Sequence, residues 1–117
     1  MSAAAARRTA HRLIDVLGGR ADPTEVLAEE ARVWVPHRGW SDGAGTADLL
    51  RALGGDLSGG ELAVDAVVAA DDLVVVEASV VRAADRPIHV TATVHLDDAA
   101  RAVEIRVYLD PQRLGSI

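Results

Sequence analysis

One carboxyl group interrupts what strand alternation otherwise makes an apolar sheet face. Along Leu73–Val81 the odd-numbered side chains are Leu73, Val75, Glu77, Ser79 and Val81, and side chains two apart in a strand share a face. Simple turns that pair Ala70 with Leu73, Arg82 with Pro87 and Leu96 with Arg101 set Glu77 beside Ala66 and Ala92. A carboxyl group among such small neighbours is desolvated, which raises its pKa and suits it to acid or base work near neutrality. Two alternatives stand beside this: a register slip or bulge that turns Glu77 outward, and a buried ion pair with an Arg from a helix. The candidates for ligand contact are aromatic or close to aromatic residues. Trp34 offers a ring for stacking or for plain core packing, His37 offers a hydrogen bond from the loop that joins the two tryptophans, Trp40 lines the same mouth, and Tyr108 completes the set of aromatic side chains.

Neither a metal nor a cofactor is expected. The chain has no cysteine, hence no thiolate ligand, nucleophile or disulfide. His89 and His95 share a strand face six residues apart, about 20 Å at ~3.3 Å per residue, too far for one ion. Asp71-Asp72 and Asp97-Asp98 are explained by turn chemistry, and the spacing around them is not that of a calcium loop. The glycines from Gly39 to Gly55 do not form a phosphate-binding fingerprint after a strand.

These residues need a scaffold, and 117 residues, half of them hydrophobic, are enough for a single domain over 1–117. All twelve basic residues are Arg, and the net charge of −6 argues against nucleic acid as a partner. Apolar runs are too short for a membrane span, and the N-terminus lacks the order of a signal peptide, so a soluble cytoplasmic protein is expected. Ala10, Leu13, Ile14 and Leu17 fall at helical spacing before Gly18-Gly19. Asp22-Pro23-Thr24-Glu25 opens a second helix, with Asp22 as cap and Pro23 at the first position. Ala31–Val35 reads as a short strand stopped by Pro36, the stretch 36–45 as loop, and Ala47–Leu53 as a third helix closed by Gly54-Gly55. Four long strands follow, at 61–70, 73–82, 87–96 and 101–109, in an antiparallel meander. The fold class expected is therefore α+β: three N-terminal helices packed on a curved four-stranded meander plus a short strand.

The turn register places Leu62, Val64, Ala66 and Val68 on the helix-covered face with Glu77 and its odd-numbered neighbours, with Ile88, Val90, Ala92, Val94 and Leu96, and with Val103, Ile105, Val107 and Leu109. It leaves Val67, Val74, Val76 and Val80 on the outer face with His89, Thr91, Thr93, His95, Glu104, Arg106 and Tyr108. Four valines are too apolar for open water, and a homodimer through this outer face is expected.

The order of elements, with Asp22-Pro23, Val33-Trp34-Val35-Pro36, Gly43-Ala44-Gly45 and Arg106-Val107-Tyr108-Leu109-Asp110-Pro111, resembles the nuclear transport factor 2-like superfamily, and within it the SnoaL-like polyketide cyclase group. The resemblance covers nearly the whole chain. It implies a cystatin-like α+β cone, a curved sheet wrapped around helices over an apolar cavity, often paired sheet to sheet. It implies a small hydrophobic molecule as ligand, with no cofactor, and it adds Asp110 to the catalytic candidates, because the cyclases carry an Asp at the end of the last strand. Strict alternation sets Asp110 on the outer face with Tyr108; a bulge or a curled strand end would bring it to the cavity. Two functions fit: a cofactor-free cyclase or isomerase that moves a proton on a carbonyl or polycyclic compound through Glu77 or Asp110, and a non-catalytic protein that binds small molecules or dimerises. Fold alone does not choose between them.

Overall fold

The structure, a computed structural model, describes residues 2–36, 38–81 and 86–109. Helix α1, Ala3–Leu17, starts where the Ser2 side chain accepts from the Ala5 amide and ends at Gly18. It buries Ala6, Ala10, Leu13, Ile14 and Leu17, the stripe that a 3.6-residue period selects. The second helix expected at Asp22 shrinks to a single 3₁₀ turn, Pro23–Glu25. Asp22 does cap it, accepting from the Thr24 amide at 2.9 Å. The helix stops there because strand pairing takes over at once: β1, Leu27–Val35, runs parallel to the last strand and buries Leu27, Ala31, Val33 and Val35. The stretch read as loop contains a short strand, β2, Gly39–Asp42, antiparallel to β1 with Trp34 opposite Trp40.

Helix α2, Ala44–Leu57, is longer than the third helix expected, since it runs through Gly54-Gly55 instead of stopping there. Gly54 serves helix packing: a Cβ at this position would lie 2.5 Å from the Val16 carbonyl oxygen of α1, so only glycine lets the two helices approach this closely. Thr46, in the first turn, is fully buried and donates to the Ala31 and Ser41 carbonyls at 2.8 and 3.1 Å, which pins α2 to β1 and β2.

Strands β3 (Glu61–Ala70), β4 (Leu73–Val81), β5 (Ile88–Leu96) and β6 (Ala102–Tyr108) form the expected antiparallel meander. With β1 and β2 they make one mixed six-stranded sheet in the order β2-β1-β6-β5-β4-β3. Among the described residues two α-helices, not three, cover one face of it.

The register corrects the assignment of faces. Ala70 pairs with Leu73 as expected, but Val80, not Val81, pairs with Ile88. A slip of one residue exchanges the two faces of a strand. Val74, Val76, Ala78 and Val80 therefore lie in the core, whereas Glu77 is exposed on the outer face between Ala66 and Thr91. In β3 a bulge between Val64 and Ala66 switches phase mid-strand, so that Leu62 near one end and Val67 and Ala69 near the other pack against the core. Between β5 and β6 the pairing is Val94 with Ile105, two residues from the expected alignment, and an even shift preserves the faces. Ile88, Val90, Ala92, Val94, Leu96, Ile105 and Val107 are accordingly buried as expected. Among the described residues, no helix is long and apolar enough to cross a membrane.

Candidate ligand-binding site

Among the described residues the only buried polar side chains are Thr9 and Thr46, and both donate to backbone carbonyls. The gap between α1 and the sheet, lined by Leu13, Val26, Val74, Val94 and Ala102, is too small to hold a water molecule. Glu77, expected to face such an interior as acid or base, points away from it. Asp110 and His37 lie outside the described residues.

Three of the expected ligand contacts do come together, on the outer face instead of inside a cone. Trp34 and Tyr108 alternate outward on β1 and β6, with ring centroids 5.4 Å apart and planes at 49°. Trp40 stands opposite Trp34 in the β1–β2 pair. With Arg106 they line a cleft of about 170 Å³. Trp40 and Tyr108 each remain 42% exposed. The cleft thus gathers every aromatic ring of the chain, two Trp and one Tyr with no Phe.

Cations flank these rings. The Arg32 guanidinium carbon lies 4.1 Å from the Trp40 ring centroid and that of Arg106 lies 5.3 Å from it, both within cation–π range. Glu104, one turn of alternation before Arg106 on β6, holds the two arginines. It accepts from Arg32 Nη2 at 2.6 Å and Nε at 3.1 Å, and Arg106 Nε is 3.7 Å away. The Arg32 hydrogen bonds hold the Glu104 carboxyl below the ordinary carboxylate range, against the opposing effect of partial burial, and Arg106 and His95 add to the lowering. Arg32, Glu104 and Arg106 were not among the residues expected at the site. The signal was present, since Glu104, Arg106 and Tyr108 alternate along one strand face, but it takes the β1–β6 pairing to bring Arg32 to them.

Further along the outer face, Ser79 Oγ donates to Asp65 Oδ2 at 2.7 Å and lies 3.2 Å from His89 Nδ1. The hydroxyl has one proton and gives it to the carboxylate, so the His89 ring N–H is the donor in the second contact. In a nucleophilic triad the imidazole takes the hydroxyl proton; here the order is wrong for that chemistry. No group of three or more His, Asp or Glu among the described residues is placed to hold a metal ion.

No protein-family model matches this sequence, and no curated protein matches it. The fold, by contrast, has many solved counterparts. A de novo designed protein with a curved β-sheet superposes with a TM-score of 0.79 at 18% identity, over 96% of this chain and 90% of that one. An NTF2-like protein of unknown function from Mesorhizobium loti gives 0.74 at 20% identity, over 92% and 93%. A SnoaL-like protein of unknown function from Burkholderia thailandensis gives 0.73 at 14% identity, over 94% and 98%. Other neighbours carry SnoaL-like polyketide cyclase and ketosteroid isomerase assignments, and one is described as cystatin-like. The chain therefore shares the fold of these NTF2-like and SnoaL-like structures, and at these identities the likeness concerns the fold alone.

Proposed function

We propose that this chain is a non-catalytic binding protein of the SnoaL-like fold, and that it takes a small apolar ring compound in the cleft of Trp34, Trp40, Arg106 and Tyr108. The observation that carries the reading is the convergence of all three aromatic residues on one cleft in a chain that otherwise avoids aromatics. At about 170 Å³ the cleft falls below the ~300 Å³ of the smallest drug-sized pockets, which favours a single ring over a polycycle. Arg106 at its wall favours a carboxylate on that ring. The proton-transfer reading has less support, because Glu77 is exposed and the described residues bury no carboxyl group.

Both tryptophans belong to the cleft, so their two indole N–H resonances report on it without a label. Benzoate should shift both saturably, with a Kd of about 1 mM, and Trp40→Ala should abolish the shift of the remaining indole. Arg106→Gln should weaken benzoate about tenfold and leave benzyl alcohol almost unchanged. Indoles that do not respond to either probe at several millimolar would defeat the reading.

A second reading rests on a separate observation. The exposed large hydrophobics Val68, Val81, Trp40 and Tyr108, with the half-buried Leu73 and Val75, share the outer sheet face, and we infer that this face pairs with a second copy of the chain. The residues that would make the contact differ from those expected, since Val74, Val76 and Val80 are in the core.

A further inference from the structure

A second pocket lies at the opposite end of β6 from the aromatic cleft. Tyr108 lies seven positions after Arg101, roughly 23 Å along the strand direction. Its volume is about 210 Å³, and Arg8 and Arg12 of α1, Arg101 and Glu25 provide the charged part of its wall. Arg8 and Arg12 are four residues apart on one helix face, where like charges repel. Among the described residues no carboxylate lies within 4.0 Å of Arg8, Arg12 or Arg101. Elsewhere Arg20 pairs with Asp15, Arg32 with Glu104 and Arg51 with Asp22. Three arginines without a carboxylate partner line this one pocket, in a protein of net charge −6, and form a positive focus.

The pocket is also held in shape. Asp97 Oδ1 accepts from the Ala99 and Arg101 amides at 2.9 and 3.0 Å, and the Thr9 hydroxyl donates to the Ala100 carbonyl, tying the β5–β6 turn to α1. Arg101 Nη1 donates to the Leu27 carbonyl at 3.1 Å, which fixes the guanidinium and leaves its other N–H groups unspent. The backbone N–H groups of Ala99 and Ala100 are satisfied within the turn, so recognition falls to the guanidinium groups.

We propose that this pocket binds a small phosphomonoester whose dianionic head is held by Arg8, Arg12 and Arg101. The side chains lining the pocket, three arginines and one glutamate, carry +3 − 1 = +2, which a phosphomonoester of roughly −1.5 to −2 at neutral pH balances. Its three terminal oxygens are the acceptors that guanidinium forks pair with best. The volume leaves space for a body of a few carbons beside the head.

Calorimetric titration with methyl phosphate, at an ionic strength kept constant with chloride, tests this. The full chain should bind it saturably in the millimolar range or tighter. The double variant Arg8→Gln, Arg12→Gln should bind it at least tenfold more weakly, with a thermal melt showing that the fold is kept. Arg20→Gln removes a positive charge outside the pocket and should change affinity less than twofold. Absence of saturable binding, or an equal loss in Arg20→Gln, would overturn the proposal. Binding to phosphatidylglycerol vesicles without binding of methyl phosphate would overturn it in favour of a membrane surface. The cleft of Trp34 and Trp40 takes no part in this readout, so the two sites stand or fall separately.

Discussion

Asp22 joins three parts of the chain through one carboxyl group. It caps the 3₁₀ turn through the Thr24 amide and hydroxyl and receives Arg51 of α2 at 3.1 Å. The Thr24 backbone N–H lowers its pKa most, followed by the Arg51 guanidinium, and together they bring it from 3.8 to about 2. A carboxyl group whose folded pKa is depressed stabilises the fold above its unfolded value and loses that contribution as pH falls through the folded one. Stability from Asp22 is therefore complete above about pH 4 and fades toward pH 2. Asp22→Asn should be less stable than the parent at pH 6, and the difference between them should narrow between pH 4 and pH 2, as followed by urea melts. A difference that does not change with pH would show that the hydrogen bonds, not the charge, carry the effect. At this same scale the aromatic candidates were legible in the sequence because the chain has so few of them, and Trp34, Trp40 and Tyr108 do meet. The environment of Glu77 is not legible in this way, because it depends on which sheet face the residue occupies, and that follows from the register of β4 on β5.

Elements show why. Alternation along β3–β6 predicts strands and turns from local pattern, and those strands form within a residue or two of their expected bounds. Which side faces the helices is decided by register, and β4 carries valines on both faces, so the hydrophobic pattern cannot correct a slip of one residue. β5 and β6 have polar residues on alternate positions, and their faces agree with the expectation from Glu104 onward even though the alignment differs by two; at the start of β6 an irregularity buries Ala102 in place of Val103. The bulge at Asp65 leaves no mark in composition. Gly54-Gly55 illustrates the same limit, since a helix stop and a helix–helix contact look alike in sequence. Their structural roles separate cleanly on substitution. Gly55→Ala meets nothing within 4 Å and should stabilise by about 0.5–1 kcal/mol through helix propensity. Gly54→Ala drives a Cβ into the Val16 carbonyl, and the forced separation of α1 and α2 should cost about 1–3 kcal/mol. Denaturant melts of the two variants should move in opposite directions; matching shifts would mean that α1 and α2 are not in close contact at Gly54.

For the molecule as a whole, the open question is what covers the outer sheet face. β3 to β6, with 10, 9, 9 and 7 residues, at ~4.8 Å spacing and ~3.3 Å rise, present roughly 550 Å². A standard interface buries about 800 Å² per partner. A dimer of ordinary stability would therefore draw in β1 and the aromatic cleft as well as the strip of Val68, Leu73, Val75 and Val81. Val75→Asp sets a carboxylate on the outer face without entering the core and should shift sedimentation toward the monomer while the fold is retained. Val76→Asp places the same charge in the buried core and should unfold the chain. Trp40→Ala should weaken the dimer too, and benzoate in excess should oppose it, because ligand and partner would compete for the cleft. A parent protein that sediments as a monomer at high micromolar concentration would show that the face meets solvent or a different partner. A dimer indifferent to both Trp40→Ala and benzoate would confine the contact to β3–β5 and leave the cleft to its ligand.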